Sequence, residues 1–357
     1  MNTSKLKSKS KTFLTVNFGC RVNATETNQW SQVLIDQSYT PYNLITEIKS
    51  PDILLVNTCS ITKKAEKESL NKIKFFHHKY PNLKIYVTGC ANVSKIKNLE
   101  HVSFFTNQEK EKLLKKLKSY YTPEIKDKFS HTNRFLLKIQ SGCTQFCSYC
   151  IVPFKRNYLF SLSPTDAIKT VNKAIKNGYK EVVITGVNID EYQYGLSNLI
   201  KLLLEKTEIK LISFGSIPLN CISKNFINLY QQPKYNQRLS HFLHIPIQSG
   251  SDKILKLMNR PYTKKDIINK IENCKLKIEN LKLGTDIIVG FPTETDNDFQ
   301  KTFKLCQQIG FSKIHVFPFS PRPGTKARII FEKSPKISKE KLKERSQKIR
   351  ATQLLTN

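Results

Sequence analysis

Three thiols lie within eight residues of this chain: Cys143, Cys147 and Cys150, in the run Ser-Gly-Cys-Thr-Gln-Phe-Cys-Ser-Tyr-Cys. This CxxxCxxC spacing can wrap three thiolates around one cubane iron-sulfur cluster and leave its fourth iron open. A second set of three is scattered in sequence, yet each member closes a short apolar run. Cys20 follows Phe13–Gly19, Cys59 follows Ile53–Thr58, and Cys90 follows Ile85–Gly89. In a parallel α/β sheet the carboxyl ends of the strands share one edge, where ligands bind, so three cysteines at three such ends converge in space. Each set is one thiolate short of closing a cubane. The other three cysteines read as packing residues. Cys274 continues the helical stripe Ile267, Ile271, Ile278, Cys306 sits with Phe299, Phe303 and Ile309, and Cys221 stands alone. Zinc is the competing reading for the CxxxCxxC loop, but a structural zinc site uses four ligands in paired spacing, and no second pair stands here.

The elements that must position these thiols follow from the apolar periodicity. Residues 1–10 are a polar Lys/Ser-rich tail, read as disordered. From about 11 to 125 strand-like runs alternate with helices, one over 64–78 and a basic one over 108–119, which predicts an α/β layer with a parallel sheet. Residues 126–133, within a Pro- and charge-containing stretch from Tyr120, read as a linker. Six further strands are predicted at 135–140, 181–185, 209–214, 242–247, 283–289 and 313–319, with helices in the gaps. Ser163 and Pro164 mark one helix start, and Asp296 and Asp298 another. Six βα units are two short of a closed barrel, so residues 134–327 are expected to form an open (β/α)6 partial barrel with its site at the carboxyl ends of the strands. The CxxxCxxC loop follows the first of them. Residues 328–357 read as a basic tail ending in a helix from about 338 to 355.

Composition bounds the function. The 357 residues carry a formal net charge of +31, almost all of it from lysine, which suits a polyanion such as nucleic acid. No apolar run reaches membrane-spanning length and no signal-peptide core opens the chain, so a soluble cytoplasmic protein is expected. Nine cysteines there argue for metal or redox chemistry over disulfides.

A CxxxCxxC loop at the mouth of a (β/α)6 barrel resembles the radical S-adenosylmethionine superfamily, in which the free iron chelates the amino-acid part of the cofactor. The second triad narrows the resemblance. Asn17-Phe-Gly-Cys20-Arg-Val-Asn23 with Glu26-Thr27, Asn57-Thr-Cys59 and Thr88-Gly-Cys90 are similar to the amino-terminal domain of the methylthiotransferases. Thr185-Gly-Val-Asn188, His244-Ile-Pro-Ile-Gln-Ser-Gly-Ser251, Leu257-Met-Asn-Arg260, Thr285–Glu294 and His315–Thr325 match further family segments, in order, from about 12 to 327. Cys20-Arg-Val-Asn23 and His315-Val-Phe-Pro318 resemble the branch acting on threonylcarbamoyladenosine of tRNA, next to the anticodon. The isopentenyladenosine branch usually has Gln-Met-Asn after its first cysteine.

The resemblance implies two 4Fe-4S clusters, one on Cys143, Cys147 and Cys150 for radical cleavage of S-adenosylmethionine, the other on Cys20, Cys59 and Cys90 to carry the donated sulfur. The protein supplies positioning and shielding while the cofactor carries the radical chemistry. An unactivated adenine C2–H has no useful acidity, so the resemblance assigns no acid-base residue beyond the cluster ligands. Gly186, Asn188, Gln248, Ser249, Asp286 and Gly290 match positions that line the cofactor pocket, and each fits a structural role equally. The implied partners are tRNA and an electron donor such as a flavodoxin or ferredoxin.

Two departures stand out. Gly215-Ser-Ile-Pro218 replaces the usual Ser-Ser-Ile-Glu, which removes a carboxylate from that strand. Relatives usually end in a small TRAM-type β-barrel that grips RNA, whereas this sequence stops after its last basic helix. Either the two remaining domains hold tRNA or a helper protein supplies the grip. Rival readings are a methylthiotransferase of the isopentenyladenosine or ribosomal-protein branch, and a non-catalytic iron-sulfur RNA-binding protein.

Overall fold

The computed structural model describes residues 11–44, 49–96, 98–118 and 134–353. The amino-terminal tail, the 126–133 linker and the end of the last helix lie outside the described residues. The chain divides into two compact units, residues 1–129 and 130–357.

The first unit runs β1 (Thr12–Asn17), α1 (Arg21–Asp36), β2 (Thr40–Pro41), β3 (Ile53–Thr58), α2 (Lys63–Lys79), β4 (Lys84–Gly89), β5 (Val102–Phe104) and α3 (Lys110–Lys118). Its sheet has the order β2-β1-β3-β4-β5, parallel throughout. β3 is buried along its whole length, as a central parallel strand with helices on both faces must be. Leu54 and Val56 pack with Ile73 and Phe76 of α2 on one face. Ile53 and Leu55 pack with Trp30 and Leu34 of α1 and Leu113 and Leu117 of α3 on the other. α2 begins where the Thr62 side chain accepts from Ala65 N, satisfying a helix-end donor. His77, His78 and Lys79 close it against the negative end of its dipole.

The second unit runs β6 (Arg134–Ser141), α4 (Val152–Lys155), β7 (Phe160–Ser161), α5 (Pro164–Lys176), β8 (Glu181–Gly186), α6 (Leu196–Lys206), β9 (Leu211–Phe214), α7 (Lys224–Tyr230), α8 (Pro233–Asn236), β10 (Phe242–His244), α9 (Asp252–Leu257), α10 (Lys264–Lys277), β11 (Lys282–Val289), α11 (Asp296–Ile309), β12 (Lys313–Pro318), α12 (Lys326–Lys333) and α13 (Lys339–Ala351). β6-β8-β9 and β10-β11-β12 are two parallel runs joined by single bridges from Ile212 to Leu239 and from Ser216 to His244. Six parallel strands with helices on one side are the expected partial barrel. β7, antiparallel on β6, is an addition. The predicted strand over 242–247 is only three residues long, because Pro246 cannot donate to a ladder and Gln248 turns the chain with φ 68°.

Residues alternate along the strands. Leu137, Ile139, Val182, Ile184, Ile212, Leu243, Ile287, Ile314 and Val316 face the helices in one core. The opposite positions, among them Gln140, Thr185, His244, Asp286 and His315, line the concave face. Ser163 caps α5, and Thr295 with Asp298 forms a capping box on α11. The carboxyl-terminal helix differs from the expected tail. Ile349 of α13 is fully buried in the barrel core, and Arg345 is buried with its guanidinium on Glu294 and Asp296. A helix with so many lysines shows little apolar periodicity, so its docking was not readable from the pattern.

Candidate metal centres

In the first unit the register aligns Asn17 with Asn57, Asn57 with Thr88, and Thr58 with Gly89. Cys20, Cys59 and Cys90 therefore follow neighbouring strand ends on one sheet edge. Cys20 is the N-cap of α1, and its side chain makes no capping bond. A helix amino terminus favours an anion there, which suits a thiolate ligand. Burial pushes the Cys59 thiol up from its ordinary value, and the neighbouring Cys90 and Cys20 push it further. Cys59 and Cys90 are buried and Cys20 is exposed, and thiols grouped in this way become stable thiolates when a metal takes them as ligands.

The residues between the cysteines form a scaffold. Asn23 Nδ2 donates to Asn57 Oδ1 at 2.9 Å and to Thr58 O at 3.0 Å, and Asn57 Nδ2 returns a bond to Asn23 O at 2.9 Å. Thr58 Oγ1 donates to Thr88 O and accepts from Ala91 N. Asn107 Nδ2 approaches Cys90 Sγ at 3.6 Å. Gly89 has φ 106°, and a Cβ there would lie 2.3 Å from Thr58 O, so only glycine lets β4 turn into Cys90. Glu26 forms a buried ion pair with Lys110, which also lies over the Trp30 ring. Ser60 Oγ, next to Cys59, and Thr88 Oγ1, two residues before Cys90, are buried with no hydrogen-bond partner among the described residues. Three thiols, two orphaned hydroxyls and no fourth cysteine fit a cluster with inorganic sulfide and an open iron.

In the second unit the CxxxCxxC loop leaves the carboxyl end of β6 and is clamped from distant sequence. Ser148 N donates to Met258 O, and Ser148 Oγ donates to Leu257 O at 2.7 Å. Asn259 Nδ2 holds Gln145 O and Phe146 O, and Arg260 Nη1 donates to Cys147 Sγ at 3.2 Å. The Leu257-Met-Asn-Arg260 segment is thus the brace of the loop, a role its match to a family segment did not reveal. Glu191 accepts from Thr144 N and Oγ1. Burial raises the Cys143 thiol, with Glu191 and Cys147 adding to the rise. Cys274 and Cys306 are fully buried in the core, as their stripes predicted.

Of the pocket candidates, Asn188 stands nearest the loop. Its Nδ2 reaches Cys143 Sγ at 3.7 Å, and its N–H donates to Gln140 Oε1 at 2.8 Å. Gly186 gives room to Gln140 and Ile189. Gln248 is half-buried with its N–H on Asp286 O. Ser249 is fully buried and bonds Thr302 Oγ1. Gly290 has φ 72° and donates its N–H to Glu294 Oε2. Asp286 accepts from His244 and His315. In place of a carboxylate, Pro218 precedes the short turn Leu219–Cys221.

The sequence matches the Radical SAM superfamily over residues 137–306 and Uncharacterized protein family UPF0004 over residues 12–116. The threonylcarbamoyladenosine tRNA methylthiotransferase MtaB of Chlamydia pneumoniae is 34% identical over 326 residues, covering 88% of this chain and 76% of that protein. The protein of the same name from Thermotoga maritima is 32% identical, covering 89% and 76%. A tRNA-2-methylthio-N(6)-dimethylallyladenosine synthase from Thermodesulfovibrio yellowstonii is 33% identical, covering 87% and 76%. Among solved structures, the radical S-adenosylmethionine methyltransferase TsrM from Kitasatospora setae shares the fold with TM-score 0.64 at 10% identity, covering 90% of this chain and 77% of that one. Two cysteine triads on two α/β units, with these relatives spanning both, place the chain in the radical S-adenosylmethionine methylthiotransferase family.

Proposed function

We propose that this enzyme installs a methylthio group on C2 of a threonylcarbamoyl-modified adenosine of tRNA, beside the anticodon. The observation that carries the reading is the joint presence of two cysteine triads, each one ligand short, in a chain 34% identical to a protein named for that reaction. Family members work with two 4Fe-4S clusters and S-adenosylmethionine, which supply the radical and the transferred sulfur when bound.

The residues divide the work. Cys143, Cys147 and Cys150 hold the cluster that binds S-adenosylmethionine, braced by Asn259 and Arg260. Cys20, Cys59 and Cys90 hold the second cluster at the edge of the other sheet. Asn188, Gln248 and Asp286 line the cofactor pocket from the concave face, while Ser249, through Thr302, and Gly186 and Gly290, through close backbone packing, support it. The lysine-rich surface binds the tRNA backbone, and an external one-electron donor reduces the chain. Among the described residues no helix is long and apolar enough to cross a membrane.

Side-by-side assays of 5′-deoxyadenosine and of methylthiolated tRNA test the reading. Changing Cys143, Cys147 and Cys150 together to Ala abolishes both products. Changing Cys20, Cys59 and Cys90 together leaves 5′-deoxyadenosine measurable and removes the methylthiolated nucleoside. A second-triad variant that still makes methylthiolated tRNA would show that the sulfur donor lies elsewhere. Supplying tRNA with threonylcarbamoyl- or isopentenyl-adenosine separates the two tRNA branches, and turnover of only the latter would overturn the substrate assignment.

A further inference from the structure

Three side chains on the concave face of the barrel converge from three neighbouring strands. His244 closes β10, Asp286 lies in β11 and His315 in β12, and in the register Asp286 is opposite His315 while His244 is opposite Gly284. His244 Nε2 lies 2.9 Å from Asp286 Oδ1, and His315 Nδ1 lies 3.1 Å from the same oxygen. All three atoms lie within 4.8 Å of one another.

We propose that His244, Asp286 and His315 bind a single divalent transition-metal ion of the zinc or iron(II) type, separate from both cysteine triads. Two imidazoles and one carboxylate are a donor set suited to such ions, and three ligands leave coordination positions open. The spacing fits. At metal–ligand bonds of about 2.1 Å, two ligands between a right angle and a tetrahedral angle apart lie roughly 3.0–3.4 Å from each other. The His315–Asp286 separation of 3.1 Å falls at the short end of that range and the His244–Asp286 separation of 2.9 Å just below it, so an ion enters with a small outward movement of the carboxylate. Each imidazole then carries its proton on its other nitrogen.

The site is built by the backbone. A Cβ at residue 284 would lie 2.6 Å from His244 Nδ1 and 2.8 Å from the Phe242 ring, so Gly284 is what lets the imidazole lie against β11. The two imidazole rings sit 5.2 Å apart, inclined by 36°. Ligands carried on paired strands are held more closely than ligands on loops. His244 is buried and His315 is exposed, and all three residues lie on the concave side of their strands, so an ion held by them would border the barrel interior. There the ion would take an oxygen or nitrogen donor from whatever occupies that space.

The test uses the reconstituted protein with both clusters in place, equilibrated with Zn²⁺, freed of excess metal by gel filtration, and assayed for zinc and iron together. Wild type retains one zinc per chain that Asp286→Asn and His315→Ala lose, at unchanged iron. His315 is exposed on a terminal strand of the sheet, so its truncation leaves the fold intact and keeps the comparison informative should Asp286→Asn fail to fold. With Co²⁺ in place of Zn²⁺, the difference spectrum against the cobalt-free protein shows ligand-field bands without added thiolate charge transfer. Equal zinc in wild type and the folded variants, or cobalt bound with thiolate charge transfer alone, would overturn the assignment.

Discussion

Arg260 donates from Nη1 to the Cys147 sulfur at 3.2 Å across 113 residues of sequence. The same guanidinium bonds the Tyr262 hydroxyl through Nε at 2.8 Å, and Tyr262 Oη in turn donates to Pro246 O. With Cys147 as a cluster ligand, as proposed, a cation fixed beside its sulfur would withdraw charge from the cluster, and hydrogen bonds of this kind set cluster potentials. In the proposed assignment the first cluster would be tuned from a segment that contributes no ligand.

Arg260→Ala should keep the iron of the first cluster and lower 5′-deoxyadenosine formation by roughly 10–100-fold, the usual cost of losing a metal site's supporting bond. Arg260→Lys restores charge without the fork geometry and should recover only part of the rate. Midpoint potential and cleavage rate, measured together, check this. An unchanged potential in Arg260→Ala would leave the arginine a purely packing role.

Asn57→Leu should act on the first unit alone. It removes both bonds of the buried Asn23–Asn57 amide pair, leaving Asn23 Nδ2 its bond to Thr58 O, at about 1–3 kcal/mol, and loosens the first turn of α1, which follows Cys20, from the end of β3 before Cys59. The expected outcome is about half the wild-type iron with 5′-deoxyadenosine formation retained. Full iron content in a folded variant would separate the amide pair from cluster binding.

Glu294 supplies a pH dependence. Burial pushes its carboxyl up to about 7, against the pull of the Gly290 N–H and the Arg345 guanidinium. Because the folded value lies above the ordinary one, the folded state holds the proton more tightly. This contribution to stability is present at low pH and is lost as pH rises from about 4.5 through about 7. Glu294→Gln should flatten the stability profile across that window, as read by thermal unfolding at a series of pH values. A variant as pH-sensitive there as wild type would place the titration elsewhere.

Arg345→Ala should be more damaging than a typical surface change. It removes the charge-assisted bonds to Glu294 and Asp296 that hold α13, at about 1–3 kcal/mol, and leaves the Glu294 carboxyl with the Gly290 N–H. Chemical denaturation of the intact chain measures the loss, and a change below about 1 kcal/mol would show that Ile349 alone docks the helix.

If tRNA is the substrate, its binding should weaken steeply with salt. A net charge of +31 supplies many lysine–phosphate contacts, each releasing counterions. The logarithm of the binding constant should fall linearly with the logarithm of salt concentration, and a nearly flat titration would contradict the electrostatic account.

Much of this was legible in sequence because it is local or periodic. Three cysteines in eight residues announce a site by spacing alone, and the apolar runs ending at Cys20, Cys59 and Cys90 announce a shared edge, since parallel strands must align their carboxyl ends. The alternation of strands and helices likewise determined two α/β units and an open six-stranded barrel. What only the tertiary structure decided depends on register and on side-chain reach between distant segments. Nothing near Arg260 points to Cys147. His244, Asp286 and His315 meet because β11 pairs with both β10 and β12, which sets Asp286 opposite His315 and two residues beyond the position opposite His244, and no one-dimensional pattern encodes that register. The docking of α13 centres on buried Ile349 and Arg345, with Lys341 on Asp296 and Arg350 on Val316 O, in a lysine-rich helix where the partner surface carries the signal that the helix sequence lacks.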